Sequence, residues 1–330
     1  MGENRYDVIL VGPYFCDLIF TGLEEQPRLG AEVFGTGLQL GPGGNFNTAY
    51  SLFRLNMRTG WVCDFGVDFF SSLILDKIRQ LGMDTSFFQI HTHNICAVSA
   101  AFSYKDDRGF ISYLDAVKPC DVLPILEKRR PLCLLVGGCC LGDDFIQVAH
   151  TAHRVGTIVA MDWQDSAFTL ETPGTPETLA EVDIFLPNLN EVKKLSGCPD
   201  AEQAMQTLAQ HTRLLVVKLG CQGAAAIMGD KVVRVPPIKV GKVLDTTGAG
   251  DCFNAGFLYG YLRGKSLEDS LMYANICGGL SVTGYGVSQM PTAEQVEALL
   301  SHYDELVAGA PHLLPRQPQL GFVAGCEDGQ

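Results

Sequence analysis

From residue 132 onward the chain repeats one unit. Short, nearly unbroken apolar runs at 132–136, 157–161, 184–186 and 214–218 alternate with helix-forming segments at 144–155, 191–195 and 201–211. A strand without a polar side is buried on both faces, and parallel sheets covered by helix layers bury strands in that way. The pattern predicts a three-layer α/β/α, Rossmann-like domain. Further strands are expected at 7–11, bounded by Gly12-Pro13, and at 59–62. An amphipathic helix over 69–81 closes at Gly82. A hairpin over 224–228 and 231–235 turns at Gly229-Asp230, and helices at 247–263, 267–281 and 293–302 complete the domain.

One region breaks the alternation. Residues 29–40 alternate with glycines, and 87–90, 96–104 and 109–114 read as successive strands with a hairpin at 105–108. Strands without intervening helices predict a small sheet standing apart, a lid formed from 29–40 and 87–114. An exposed apolar sheet is a liability, so a homodimer pairing through the lid is expected. Residues 1–330 are read as a single domain, with a Pro- and Gly-rich tail at 311–330 expected to be disordered.

The net charge of −13 argues against nucleic acid or an anionic membrane as partner. No apolar run approaches the ~18 residues of a membrane span, and no apolar leader is evident, so a cytoplasmic protein is expected. The 12 cysteines contain no C-x-x-C pair and lie mostly within apolar runs, which reads as reduced core thiols. His91 and His93 alternate on an expected strand without a third metal ligand in view.

The chemistry concentrates in Leu244-Asp245-Thr246-Thr247-Gly248-Ala249-Gly250-Asp251, a glycine turn opening a helix. Thr246 and Thr247 are good N-cap types. The N–H groups of Gly248, Ala249, Gly250 and Asp251 lack intrahelical partners and sit at the positive end of the helix dipole, a ready anion site. A resident phosphate would be repelled by Asp251; a phosphoryl group in transit would not, if Asp251 takes the proton of the attacking hydroxyl. By itself the stretch also fits an ordinary acidic helix start.

Other polar groups fall at strand ends and turns. Asp17 follows the first strand, where open α/β sheets place ligands. Gly41-Pro42-Gly43-Gly44-Asn45-Phe46-Asn47 reads as a glycine-rich turn into a helix ending near Arg54, with Ala49, Leu52 and Phe53 inward. Asn47 offers donor and acceptor to a hydroxyl. Asn188-x-x-Glu191 straddles a turn into a helix, suited to a metal held through water or simply to a helix cap. Lys218-Leu219-Gly220-Cys221-Gln222-Gly223 is a strand and a glycine loop on which a nucleotide could lie. Gly260-Tyr261-Leu262-Arg263-Gly264-Lys265-Ser266 is one residue short of a P-loop and ends a helix, and the dinucleotide fingerprint is missing after Val11.

Together these residues resemble the ribokinase-like, or PfkB-type, carbohydrate kinase family. The most specific stretch runs from Val235-Pro236-Pro237 through Asp245–Asp251 to Cys252-Phe253-Asn254-Ala255-Gly256-Phe257. The resemblance implies a small β lid, ATP as phosphoryl donor and Mg²⁺. It casts Asp251 as base, with Gly248, Ala249 and Gly250 as anion hole. Asp17, Gly43, Gly44 and Asn47 would grip the sugar hydroxyls. Asn188 and Glu191 would organise Mg²⁺, the latter through water; Lys218, Gly220, Gly223 and Asn275 would line the nucleotide site. Asp245, Thr247 and Gly286 match the place where some members bind a monovalent cation such as K⁺.

The chain also departs from the family. Phe15 stands where ribokinases carry an Asn, Pro42 takes the first place in the glycine turn, and that turn has no Lys. Asp162-Trp163-Gln164-Asp165-Ser166 lacks the arginine of the Asp-x-Asn-x-Arg run found in many members. The acceptor is therefore left open. A small sugar is the first expectation. A nucleoside stacked on Phe15, Phe46, Phe102, Tyr104, Phe110 or Tyr113 is the second, and a catalytically idle sugar- or nucleotide-binding protein the third.

Overall fold

A computed structural model describes residues 5–104, 107–118, 120–164, 166–310 and 313–314. The chain enters through β1 (Val8–Val11) and passes into a hairpin of β2 (Tyr14–Thr21) and β3 (Gly37–Gly44). Then come α1 (Asn45–Arg54), β4 (Thr59–Phe65), α2 (Phe69–Gln80) and β5 (Phe88–Ile90). A second hairpin joins β6 (Ala97–Tyr104) and β7 (Asp107–Leu114). The regular alternation follows: α3 (Leu123–Arg129), β8 (Cys133–Gly137), α4 (Asp143–Arg154), β9 (Ile158–Asp162), α5 (Thr175–Ala180) and β10 (Ile184–Phe185). It continues with α6 (Leu189–Ser196), α7 (Ala201–Ala209), β11 (Leu214–Lys218), β12 (Ala224–Met228) and β13 (Lys231–Val235). Four helices close the domain: α8 (Ala249–Tyr261), α9 (Leu267–Ser281), α10 (Ala293–Leu300) and α11 (Tyr303–Ala308).

Nine strands form the main sheet in the order β13-β12-β11-β10-β9-β8-β1-β4-β5, parallel except for the β12–β13 edge. Alternate residues of each strand feed two separate cores, as strand geometry requires. Leu10, Leu135 and Val216 pack with Leu52 of α1, Ile74 of α2, Phe257 of α8 and Tyr273 of α9. Their neighbours Ile9, Leu134 and Val217 pack with Leu126 of α3, Ala149 of α4, Val192 of α6 and Leu208 of α7. The three layers follow directly from strands that are apolar on both sides.

The lid is a second sheet of four strands, β3-β2-β6-β7. Its boundaries correct the expectation in three places. Residues 14–21 form β2, so Asp17 lies inside a lid strand and not in a loop after β1. The lid strand expected at 29–40 begins at Gly37 and runs through the glycines to Gly44, where α1 starts; no turn intervenes. Residues 88–90 pair with β4, Cys63 opposite Phe88, and so belong to the main sheet. Of the expected hairpin turn at 105–108, residues 105–106 lie outside the described residues and 107–108 already belong to β7; of the expected tail at 311–330, all but 313–314 lie outside them. Phe53, expected inward, is 39% exposed, because α1 turns its Thr48, Ser51 and Leu52 side to the core.

Register divides the lid into two faces. Asp17, Ile19, Gln39, Ser99 and Ser112 share one face; Phe20, Leu38, Ile111 and Tyr113 share the other.

Candidate active site

The site forms around the N-terminus of α8. Its N-cap is Gly248 at φ 75°, without a side-chain cap, so Thr246 and Thr247 do not cap the helix as expected. Thr247 instead donates through N–H and hydroxyl to Asp245 Oδ1, at 2.9 and 2.7 Å. Asp245 Oδ2 accepts from the Gly286 N–H at 2.8 Å, so the three residues of the expected cation site do come together. Ala249 N–H is engaged with the Thr246 carbonyl at 3.3 Å. The N–H groups of Gly248, Gly250 and Asp251 have no hydrogen-bond acceptor among the described residues.

Asp251 is set in the first turn of α8. Thr48 of α1 donates its hydroxyl to Asp251 Oδ1 at 2.5 Å, and the Asn47 amide also bonds the carboxylate. Burial and the nearby Asp162 carboxylate push Asp251 up to about 6; Thr48, Lys218 and Asn47 draw it down. A carboxylate tuned close to neutrality accepts a proton readily while remaining ionised at pH 7.

A small cleft is bordered by Asp17, Gln39, Asn47, Thr247, Tyr285 and Gly286. Asp17 is 6% exposed and receives no hydrogen bond from the described residues. Burial, then Asp251 and Asp245, push it up to about 7. A side chain at Gly43 would begin 2.0 Å from Asp17 Oδ2, so glycine is what lets the carboxyl lie there. Gly44 has a different task from the expected one. It caps α1 at φ 61°, and a Cβ there would strike Phe15 and the Pro13 carbonyl.

A second cleft, of about 670 Å³, runs along Asn188, Lys218, Gly220, Gly223, Ala249, Gly250 and Asn275. All the expected nucleotide residues thus converge. Gly223, at φ 85°, sits 2.1 Å (from its would-be Cβ) under the Val235 carbonyl, a place only glycine fills. Asn275 Nδ2 is committed to the Pro236 carbonyl at 2.9 Å and to Tyr303 Oη at 2.8 Å, so it builds the wall of the cleft. Gly278 and Gly279 of α9, with Ile238 and Val240, also line it and were not foreseen; adjacent glycines inside a helix were the available signal.

Asn188 and Glu191 form a capping box for α6: Asn188 Oδ1 accepts from Glu191 N–H at 3.0 Å, and Glu191 Oε2 from Asn188 N–H at 2.8 Å. A carboxylate with one oxygen so committed, beside carbamoyl oxygen, fits a hard cation held through water better than one bound directly.

Lys218 does not face the nucleotide loop that follows it. Its Nζ donates to Asp162 Oδ1 at 2.9 Å and to Asn254 Oδ1 at 3.3 Å. Neither Asp162 nor Asn254 was singled out as a functional residue from the sequence.

His91 Nε2 is bonded to Asp64 Oδ1 at 2.7 Å, and no metal-holding group of three occurs among the described residues. The cysteines among the described residues are free, with Cys140 and Cys221 exposed; Cys326 lies outside those residues. No helix among the described residues is long and apolar enough to cross a membrane.

A doubly covered sheet with a separate β lid, closing over a helix N-terminus that carries a carboxylate, defines a ribokinase-like protein. Residues 20–293 match the pfkB family carbohydrate kinases, and the chain belongs to that family. Among curated relatives, the ribokinase of Bacillus subtilis is 28% identical over 304 residues, covering 89% of this chain and 99% of its own. The 2-dehydro-3-deoxygluconokinase of the same organism is 26% identical over 280 residues, covering 78% and 86%. The solved structure of Arabidopsis thaliana ribokinase complexed with ribose and ATP superimposes with a TM-score of 0.76 at 25% identity, covering 90% of this chain and 99% of that one. The protein is a carbohydrate kinase.

Proposed function

We propose that the protein transfers the γ-phosphoryl group of ATP to a primary hydroxyl of a small, uncharged sugar. The observation that carries this reading is Asp251 in the first turn of an uncapped helix, bonded to Asn47, which borders the acceptor cleft, and next to Gly250, which lines the long one. Asp17 and Asn47 orient the acceptor, and Asp251 accepts the proton of the attacking hydroxyl. The Gly248 and Gly250 N–H groups stabilise the charge that gathers on the group in transit. ATP occupies the long cleft, its phosphates directed at α8. Asn188 and Glu191 would hold Mg²⁺ through water, and the ion would there neutralise phosphate charge. Asp245, Thr247 and Gly286 are the residues for K⁺, should one bind.

The relatives include kinases named for neutral sugars and for sugar acids, and the acceptor cleft favours the former. Asp17 borders it, Asp245 and Asp251 lie within electrostatic reach, and none of its lining residues is basic. A carboxylate or phosphate on the acceptor would meet like charge and no counter-ion. A nucleoside is the weaker reading. Phe46 is buried in a stack with Tyr50, and Phe102, Tyr104 and Tyr113 lie on the lid face opposite Asp17; Phe15 and Phe110 share the Asp17 face but do not line the acceptor cleft. That opposite face is the one we assign to a homodimer. Free thiols and the charge of −13 fit a cytosolic protein without nucleic-acid partners.

ADP release from Mg·ATP, measured across neutral sugars, sugar acids and nucleosides with Asp251→Asn beside the parent, tests the reading. One neutral sugar that stimulates the parent, with the variant silent but still binding ATP, supports it. Ligand-induced thermal stabilisation without turnover by any compound would favour the idle binding protein.

A further inference from the structure

Lys218 closes β11 and Asp162 closes β9, with β10 between them in the sheet. Because β10 ends at Phe185, the two side chains meet across its end, at 2.9 Å, and their side chains are 13% and 14% exposed. A buried pair of this kind needs further partners to offset desolvation, and Asn254 of α8 supplies its Oδ1 to the ammonium. The ammonium is aimed at the mouth of α8: a Cβ built on Gly250 would lie 3.5 Å from Lys218 Nζ. Beside it, Asn254 Nδ2 is fully buried and has no acceptor among the described residues. An unspent buried donor beside a buried cation, at a helix N-terminus with free N–H groups, lacks an anion. Lys239, the other cation lining the long cleft, is tied instead to the Ala308 carbonyl on α11.

We propose that Lys218 is a catalytic residue that meets the phosphoryl group in transit, held for that task by Asp162 and Asn254 as positioning residues. This rests on the kinase reading above. In that reaction the acceptor oxygen bonds to the γ-phosphorus as the bond from that phosphorus to the bridging oxygen of ADP breaks. The hydroxyl proton passes to Asp251, and the electron pair leaves with ADP. Lys218 follows the equatorial oxygens of the moving group, while the wholly buried Asn254 holds the ammonium through its Oδ1. A cation that tightens on the transition state raises kcat; one that merely walls the base-binding end lowers the KM for ATP.

The test is steady-state kinetics and ATP binding for Lys218→Met, Lys218→Arg and Asp162→Asn in the full chain, with thermal melts of each. Lys218→Met is expected to lose at least about 100-fold in kcat, while ATP affinity changes by less than about threefold. Lys218→Arg is expected to recover part of the loss. The pH profile adds a readout that a structural role would not move. Asp251 is faced by Asn47 and Thr48 from α1, Asp17 from β2, Asp162 from β9 and Lys218 from β11. Lys218 draws its pKa down and Asp162 pushes it up. The acid limb of kcat/KM should therefore move to higher pH in Lys218→Met and to lower pH in Asp162→Asn. Loss of ATP affinity with unchanged kcat at saturation, or limbs that move the same way, would overturn the proposal while leaving the kinase reading intact. If Lys218→Met does not fold, the split between kcat and ATP affinity in Lys218→Arg decides: a fall in kcat at unchanged ATP affinity supports the proposal, and the reverse overturns it. A parent enzyme that no acceptor stimulates would sink the kinase reading and this proposal with it.

Discussion

Thr48 and Asp251 are 203 positions apart, yet the Thr48 hydroxyl donates to Asp251 Oδ1 at 2.5 Å. This bond stabilises the ionised carboxylate, against burial and Asp162, which push it up to about 6. Thr48→Val keeps the shape and removes the donor. A hydrogen bond to a charged group is worth about 1.5 kcal/mol or more, so the acid limb of kcat/KM should shift upward by about one pH unit. Turnover at pH 6 then falls more than at pH 8. A limb that stays in place would show that the hydroxyl does not serve the base.

Asp17 carries a stability cost that depends on pH. Its folded pKa, about 7, lies above the ordinary carboxylate value, so the folded state holds the proton more tightly than the unfolded chain. Its contribution is therefore most favourable at low pH and is lost as pH rises through about 4 to 7. Asp17→Asn removes that loss. The variant should melt several degrees above the parent at pH 8 and level with it near pH 4, with about 4 kcal/mol as the upper bound on the gain. Its affinity for acceptor should fall at the same time. Equal melting temperatures at pH 8 would show that Asp17 is not desolvated.

The two glycines of the loop after β11 should respond differently to alanine. Gly220 lies at φ 60° with open space around its would-be Cβ, so Gly220→Ala costs only the left-handed backbone, about 1 kcal/mol. Gly223→Ala adds a collision with the Val235 carbonyl and should cost well over 2 kcal/mol and weaken ATP binding. Calorimetric melts and ATP titration distinguish the two; equal costs would mean that the Val235 strand yields.

Ile111, 71% exposed, lies with Phe20, Leu38 and Tyr113 on the lid face turned from Asp17. If that face joins two copies, Ile111→Lys should convert a dimeric mass in light scattering to a monomeric one at micromolar concentration. A parent that is already monomeric would refute the interface.

The main sheet was legible because its strands are apolar on both sides, and so was the β6–β7 hairpin of the lid; the β2–β3 half was not, because its strands serve the site. β2 holds Asp17 at its centre and follows Gly12-Pro13, which reads as a stop. The glycines at the end of β3 mimic a turn, yet Gly43 is there because Asp17 Oδ2 occupies the space of a side chain. α5 and α11, of six residues each, are too short to show a periodic face. The signature around Asp251 located the reaction centre, but a local motif says nothing of what approaches from afar. Thr48, and the pair Asp162–Lys218 separated by 56 positions, became visible only through the sheet that brings them together.

β3 passes into α1 at Gly44, which is wedged against Phe15 and Pro13, so the joint has no slack. The same helix presents Asn47 and Thr48 to Asp251 three and four residues later. The segment that senses the acceptor and the segment that tunes the base are thus one continuous piece of backbone. A side chain at that glycine joint would therefore be felt at the cleft bordered by β3 and at the Asp251 carboxylate alike.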